Sequence, residues 1–443
     1  MHVVERCAAW ASHYRSEPLA SEVLHHAKRA VIDWHAALLP GAVTAPATLL
    51  EKALAEELDR GDARLALGRA ATVRAAALIN GTAAHSAEVD DIFRDGIFHP
   101  GAPTIAATLA LAQAGKVTGE RFLRAVVVGY EISTRIGAAM GRAHYRYWHN
   151  TGTIGVFGAC AAAAEILALE PERFAHALAT AATFSAGLQQ AFRMDSMSKP
   201  LHAGHAAEAG VTAALAAAEG VTGSLDVIEG ESGYGRAMSD GPDWERALAA
   251  LGKDFHITRM TFKNHACCGH TFAAIDGALA LQAKMKLPAE EIERVRIATY
   301  KTALEVACYE TPATPAEARF SLKYVVANAL RHGSVRLAAF EPARLGDAGT
   351  RALMRKIELA VDPELDASFP RQRAARVAIG SRDGRHDEWL QPTRVGDPEA
   401  PLSDAQLRAK YLELAVPVIG AQRASALLER LWRLETSRDV TAL

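Results

Sequence analysis

The sequence predicts a mainly α protein, with a large all-α helical bundle and a smaller α+β domain ahead of a helical tail. Three observations carry this expectation. From about Pro18 to Leu251 apolar residues recur at three- and four-residue intervals, as in EVLHHAKRAVIDWHAALL and GVFGACAAAAEILAL. After about Phe262 the texture changes to short β-branched runs, RVRIATYK and IELAVD. Beyond PLSDAQLRAKYLEL the helical period returns and runs to Leu443. At 443 residues the chain is too long for one compact core, and the changes of texture place the bundle at residues 1–258 with 400–443 and the α+β domain at 259–399.

Alanine and glycine dominate the first stretch. Small side chains let helices approach closely, so wholly buried central helices are expected, with no sheet in this half. PGAVTAP, FRDGIFHPGAP, EGVTGS and EGESGYG carry the Gly and Pro of connections. EGESGYG follows no predicted strand, which a dinucleotide fingerprint requires, and is read as a turn. In ARVAIGSRDGRHDEWL, Asp383-Gly384 stands between two candidate strands as a tight hairpin. Ser403 with Gln406 three residues on forms a capping box for a tail that packs back onto the first bundle.

Composition narrows the partners. With 49 basic against 51 acidic residues and no basic block, neither nucleic acid nor a membrane surface is favoured. No run of about 18 uncharged apolar residues occurs, and the start lacks a basic region followed by an apolar one. Five cysteines without regular spacing fit a reducing compartment, so the expected location is cytoplasmic.

Four polar clusters interrupt the apolar helices. In HSAEVDDIFRDGIFHPG, residues 85–101, Glu88, Asp90 and Asp91 precede His99 across a Gly-containing loop. Taken alone, these also read as solvated acids at a helix end. In HYRYWHNTGTIG, residues 144–155, aromatics including Tyr145 surround His149, and a Thr/Gly run opens the next helix, whose free N–H groups suit an anion. MSKPLHAGHAAEAG, residues 197–210, places Lys199 before Pro200 in the first turn of a helix. A snorkelling surface lysine is the bland alternative, but Arg193, His202 and His205 nearby favour the expectation of an anion site. FKNHACCGHTFAAID packs His265, Cys267, Cys268 and His270 into six residues, without the second ligand pair that zinc sites draw on; no metal is expected.

These clusters, in this order, resemble the MmgE/PrpD family, which includes 2-methylcitrate dehydratase, cis-aconitate decarboxylase and iminodisuccinate epimerase. The matching passages are EVDDIFRDGIFHPGAPTIAATLALA, WHNTGTIGVFGACAAAAEILALEPERFAHAL, SKPLHAGHAAEAGVTAALAAAEGVTGS and ARFSLKYVVANALRHGSV, spread over nearly the whole chain. The resemblance implies a helical domain with an α+β lid, usually in a homodimer. It also implies a site in the cleft between them that handles small polycarboxylates without metal or organic cofactor. Carried over position by position, it implies roles for Glu88, Asp91, His99, His149, Lys199, His270 and Tyr324.

The reactions of that family share a carbanion-like centre beside a carboxylate, which needs cations for the substrate's carboxylates and groups that move a proton. Lys199, the histidines and Arg193 are the expected cations; His99, His149 or Lys199 the expected proton carriers; Tyr324 and Glu88 the orienting groups. Two departures bear on the reaction. Where the decarboxylase-like pattern reads D-F-D-D-T, this chain reads Glu88-Val89-Asp90-Asp91-Ile92, which argues against decarboxylation. Where the dehydratase-like pattern has Trp-Lys, this chain has Ser198-Lys199. Epimerisation of an iminodisuccinate-like dicarboxylate is therefore expected first, with dehydration close behind. A silent dicarboxylate-binding protein is the non-enzymatic alternative, which turnover separates.

Overall fold

The computed structural model describes every residue of the 443-residue chain except Asp195. The chain divides into two compact units, Met1–Thr261 with Ser403–Leu443, and Phe262–Leu402. Among the described residues no helix is long and apolar enough to cross a membrane.

The first unit is a helical assembly around the helices Gly101–Ala114 and Gly155–Ile166, the second of which is buried along its whole length. Helices Val73–Ser86, Gly119–Tyr145 and Ser198–Ala218 pack around them. Small residues set the spacing. A Cβ on Gly129 would sit 2.5 Å from Thr104 Cγ2 and 2.6 Å from the Gly158 carbonyl oxygen. An alanine there overpacks the contact at about 1–3 kcal/mol. Where Val73–Ser86 crosses Ser198–Ala218, a Cβ on Gly81 would lie 3.0 Å from Gly204 Cα. That close approach brings the end of one helix and the start of the other into one neighbourhood.

The expectation of no sheet in this half is corrected. β1 (Leu58–Arg64) and β2 (Ala70–Ala71) form a small antiparallel hairpin. Its strand LDRGDAR is charged and mostly exposed, so it shows neither the apolar alternation nor the β-branched residues by which strands are recognised. Gly61 and Gly68 take φ of +78° and +95° in it, a left-handed backbone that glycine adopts without strain.

The tail begins as read. Ser403 Oγ accepts from the Gln406 N–H, and Gln406 Oε1 accepts from the Ser403 N–H, so the capping box starts helix Asp404–Ile419. That helix lies along Ser21–Ala42. Its Lys410, wholly buried, donates to Asp33 Oδ1 at 2.5 Å and to the Val89 carbonyl at 2.7 Å.

The second unit holds a four-stranded sheet in the order β4-β3-β5-β6, from β3 (Ile292–Thr299), β4 (Ile357–Val361), β5 (Ala375–Ser381) and β6 (His386–Gln391). β3 and β4 run parallel; the other pairs are antiparallel. Asp383-Gly384 makes the β5–β6 turn, with Gly384 at φ +85°. Helix Phe272–Met285 packs against β5 and β6.

Burial of histidines gives the fold a pH signature. His35, His144, His202, His256 and His270 are pushed down to about 4, chiefly by desolvation. Between about 6.5 and 4 the unfolded chain binds protons at these sites that the folded chain refuses, so stability falls on acidification. A fully buried one, such as His35 or His144, contributes about 1.4 kcal/mol per pH unit inside that window. Asp91 works in the opposite sense. Burial and the Asp33 charge push its carboxyl up to about 8, so the folded chain holds a proton there that the unfolded one has lost, and stability falls as pH rises toward 8. Stability is therefore expected to peak near pH 6.5. Melting temperatures between pH 4.5 and 8.5 check this, and a flat profile from 7 down to 5 would contradict it.

Candidate active site

The first unit gathers five of the sequence-selected residues. Helix Val73–Ser86 ends at Ala87, and Glu88 follows with φ +59°. This left-handed residue is a strained position for a side chain with a Cβ, and it turns the acid-rich segment sharply off the helix. Val89 is then held by Lys410, while Ile92 exchanges both backbone hydrogen bonds with Thr261 and Phe93 does so with Phe98. The Gly-containing loop thus closes on itself and delivers His99 just ahead of helix Gly101–Ala114. Asn150 Nδ2 donates to the Gly96 carbonyl at 2.7 Å, and the His99 N–H donates to Thr151 Oγ1 at 3.2 Å. The WHNT segment is by these bonds fastened to the loop, with His149 at the start of the short helix Asn150–Thr153.

Lys199 lies in the first turn of Ser198–Ala218, paired with Glu88 and with its ammonium 5.1 Å from the centre of the Phe192 ring. The two side chains are 19% and 40% exposed. An ion pair so placed contributes only about 0–1 kcal/mol to stability. It is cheaply rearranged, and a ligand carboxylate can take Glu88's place on Lys199. One helical turn on, His202 meets His149 with Nδ1 atoms 3.0 Å apart, one ring donating to the other. Phe192 also packs edge-on against His149, at 4.8 Å between ring centres. Burial, then the neighbouring His85, Lys199, His99 and His202, holds His149 well below the ordinary imidazole range, so it is neutral at pH 7.

Two residues here carry more than the sequence disclosed. His85 Nδ1 donates to Asp90 Oδ2 at 2.7 Å, and His99 Nδ1 stands 3.2 Å from the same oxygen. The His85 ring is 4.7 Å from His99 and stacked 5.3 Å from His149. Burial alone would raise the Asp90 carboxyl, but His99 and His85 outweigh it and keep it well below the usual carboxylate range. His85 opens the first cluster, yet it stands five residues before Asp90, a separation that is neither a helical nor a strand period. The left-handed turn at Glu88 brings the two together, and sequence periodicity does not show such turns.

Among the described residues, His85, Asp90 and His99 also form a group whose donor atoms all lie within 4.8 Å of one another, as a metal ion would need. Tetrahedral ligands at about 2.0–2.1 Å from one ion stand about 3.3 Å apart. The 2.7 Å separation of His85 Nδ1 from Asp90 Oδ2 is hydrogen-bond geometry instead. The CCGH segment is engaged otherwise: Cys267 Sγ lies 3.2 Å from Thr271 Oγ1, and His265 Nε2 2.8 Å from Asp276 Oδ1. Burial pushes the Cys267 thiol up to about 12. Activity is expected to survive dialysis against a chelator; loss that only added metal restores would make these donors ligands.

The other selected residues are placed differently. Asp91, expected to bind substrate, is buried, with Oδ1 accepting from the Gly101 N–H at 3.0 Å and Oδ2 from the Tyr130 hydroxyl at 2.8 Å, which ties it to the start of helix Gly101–Ala114. Arg193 is exposed, as is His205. Tyr145 ends helix Gly119–Tyr145, and its carbonyl accepts from Gln189 Nε2. His270 and Tyr324 belong to the second unit. His270 Nδ1 lies 2.8 Å from the hydroxyl of Tyr300, a partner the sequence did not single out. Its ring is lowered by burial and then by Arg373 and Arg394. Tyr324 is buried with its hydroxyl on the Ala339 carbonyl and is pushed up to about 12 by desolvation.

Against known proteins, residues 5–247 match the MmgE/PrpD N-terminal domain and residues 265–434 the MmgE/PrpD C-terminal domain. The chain belongs to the MmgE/PrpD family. Its relatives within that family include the cis-aconitate decarboxylase-like protein oryM of Aspergillus oryzae, 27% identical over all of this chain and 96% of that protein. Human cis-aconitate decarboxylase is 26% identical over 83% of this chain and 78% of its own length. The Aspergillus terreus cis-aconitate decarboxylase is 26% identical over 98% and 93%. This MmgE/PrpD chain is accordingly an enzyme of the isomerase or lyase type. The expectation of an epimerase finds no support in these likenesses, and the lyase alternative fits them better.

Proposed function

We propose that this chain is a lyase acting on a small polycarboxylate, and that decarboxylation of cis-aconitate or a close analogue is the reaction to test first. The observation that supports it most is the gathering of Lys199, His149, His202, His85 and His99 around two carboxylates in one neighbourhood of the first unit. A substrate carboxylate docks on Lys199 at the start of the 21-residue helix Ser198–Ala218, whose first N–H groups and dipole favour an anion. When a second carboxylate leaves as carbon dioxide, the electrons of the broken C–C bond remain on the substrate and a proton must be delivered to carbon. In this reading His99, beside the Asp90 carboxylate, delivers that proton and regains one from solvent, while neutral His149 hydrogen-bonds the substrate.

A second reading, dehydration, is favoured by Glu88 and Ile92, which stand where the decarboxylase-like pattern has aspartate and threonine. The purified protein should be offered cis-aconitate, 2-methylcitrate and iminodisuccinate in heavy water. Release of carbon dioxide from cis-aconitate is the expected result. A new alkene absorbance from 2-methylcitrate without carbon dioxide transfers the assignment to the hydro-lyase. Inversion with deuterium uptake and no bond cleavage overturns both.

A further inference from the structure

The first unit contains a buried carboxylate flanked by two imidazoles, of which only His99 is partly open to solvent. Asp90 and His85 have side chains 1% and 0% exposed, while His99 is 15% exposed. Asp90 Oδ2 accepts from His85 Nδ1 at 2.7 Å, and His99 Nδ1 lies 3.2 Å from the same oxygen, a charge contact without the alignment of a hydrogen bond. A carboxylate on Nδ1 fixes an imidazole's orientation and its tautomer, with the Nδ1 proton held on the carboxylate and Nε2 left for chemistry. His85 Nε2 is buried and has no hydrogen-bond partner among the described residues, so this ring is anchored through Nδ1 alone. Its plane stacks on His149 and meets His99 edge to face, which places it as the wall between the two rings.

We propose that Asp90 and His85 are positioning residues for His99: Asp90 holds the His99 ring through Nδ1 so that Nε2 carries the transferred proton, and His85, fixed on the same oxygen, keeps the ring from turning toward His149. This rests on the reading of His99 as a proton carrier. Asp90 is a carboxylate that reaches no substrate and acts through the ring it holds. His85, packed on both rings, keeps the proton-delivering His99 apart from His149.

The test has one arm that needs no variant. In the wild-type protein labelled with ¹⁵N at histidine, the His85 and His99 rings are expected to carry a proton on Nδ1. A His99 ring with its Nδ1 unprotonated overturns the proposal. The kinetic arm uses cis-aconitate as substrate. Asp90→Asn is expected to lower kcat by about a hundredfold and His85→Gln by about tenfold, each with KM changed less than about threefold, as for partners that orient a reacting group. Asp90→Asn should also shift the ¹⁵N signals of His99, which a merely structural residue would leave in place. His99→Asn distinguishes the carrier role from the positioning role. If His99→Asn turns over normally, the carrier reading fails. If His99→Asn is inactive while Asp90→Asn keeps its kcat and its His99 signals, the positioning role fails and the carrier reading stands.

Discussion

Lys199→Met is expected to lower turnover by roughly a hundredfold or more while leaving the fold intact. Methionine keeps the unbranched stem and removes only the ammonium group. The fold should tolerate this because the ion pair to Glu88 is partly exposed and contributes about 0–1 kcal/mol. The chemistry should not, because Lys199 is the cation at the start of the Ser198–Ala218 helix, within 5.1 Å of the ring that also packs on His149. Turnover of cis-aconitate and the urea midpoint are the two measurements. A near-normal rate would demote Lys199 to a surface residue. His99→Asn and His149→Asn should be severe on the same assay, whereas Cys267→Ala and Cys268→Ala should be mild.

Lys410→Met is expected to be the most destabilising single change, at about 3–5 kcal/mol, because it strips the counter-charge from a buried carboxylate. Asp33 and Lys410 are 1% and 0% exposed, and burial already pushes the Asp33 carboxyl up against the pull of the lysine. With the ammonium gone, Asp33 must take up a proton or drag water inward. The Val89 carbonyl also loses its 2.7 Å donor, so the segment carrying Glu88 and Asp90 should loosen. Urea unfolding of the variant checks the magnitude. Asp33→Leu combined with Lys410→Met should recover much of the loss, since it removes the buried charge as well. A variant whose midpoint matches wild type would mean that the pair is dispensable.

What the sequence disclosed was local. The Ser403/Gln406 capping box and the Asp383-Gly384 hairpin depend on residues within a few positions of one another, and both were legible. So was the mixture of helix and strand after Phe262, because β-branched alternation is itself short-range. The β1–β2 hairpin escaped because LDRGDAR carries charges where a strand signal carries apolar alternation. At the site, motifs picked out Glu88, His99, His149, Lys199 and His202, but their pairing was out of reach. Glu88 and Lys199 are 111 residues apart and His149 and His202 are 53, and only helix packing joins them. The partners of Asp91 were out of reach for the same reason. An acid beside another acid reads as a ligand group, and only the tertiary structure shows one neighbour on two histidines and the other on Tyr130 and a helix start.

The route of the chain imposes an order on its own making. Lys410 reaches partners that precede it by 377 and 321 residues, and the whole of Phe262–Leu402 is threaded between them. A ribosome adding about 5–20 residues per second synthesises the inserted unit in full before the helix that carries Lys410 exists. Until then Asp33 has no lysine, and the Val89 carbonyl beside the acid-rich turn has no donor. The half of the molecule that bears the candidate site is therefore begun first and closed last. A chain truncated before Ser403 and released is expected to keep the whole second unit while its first unit stays open to proteases and chaperones.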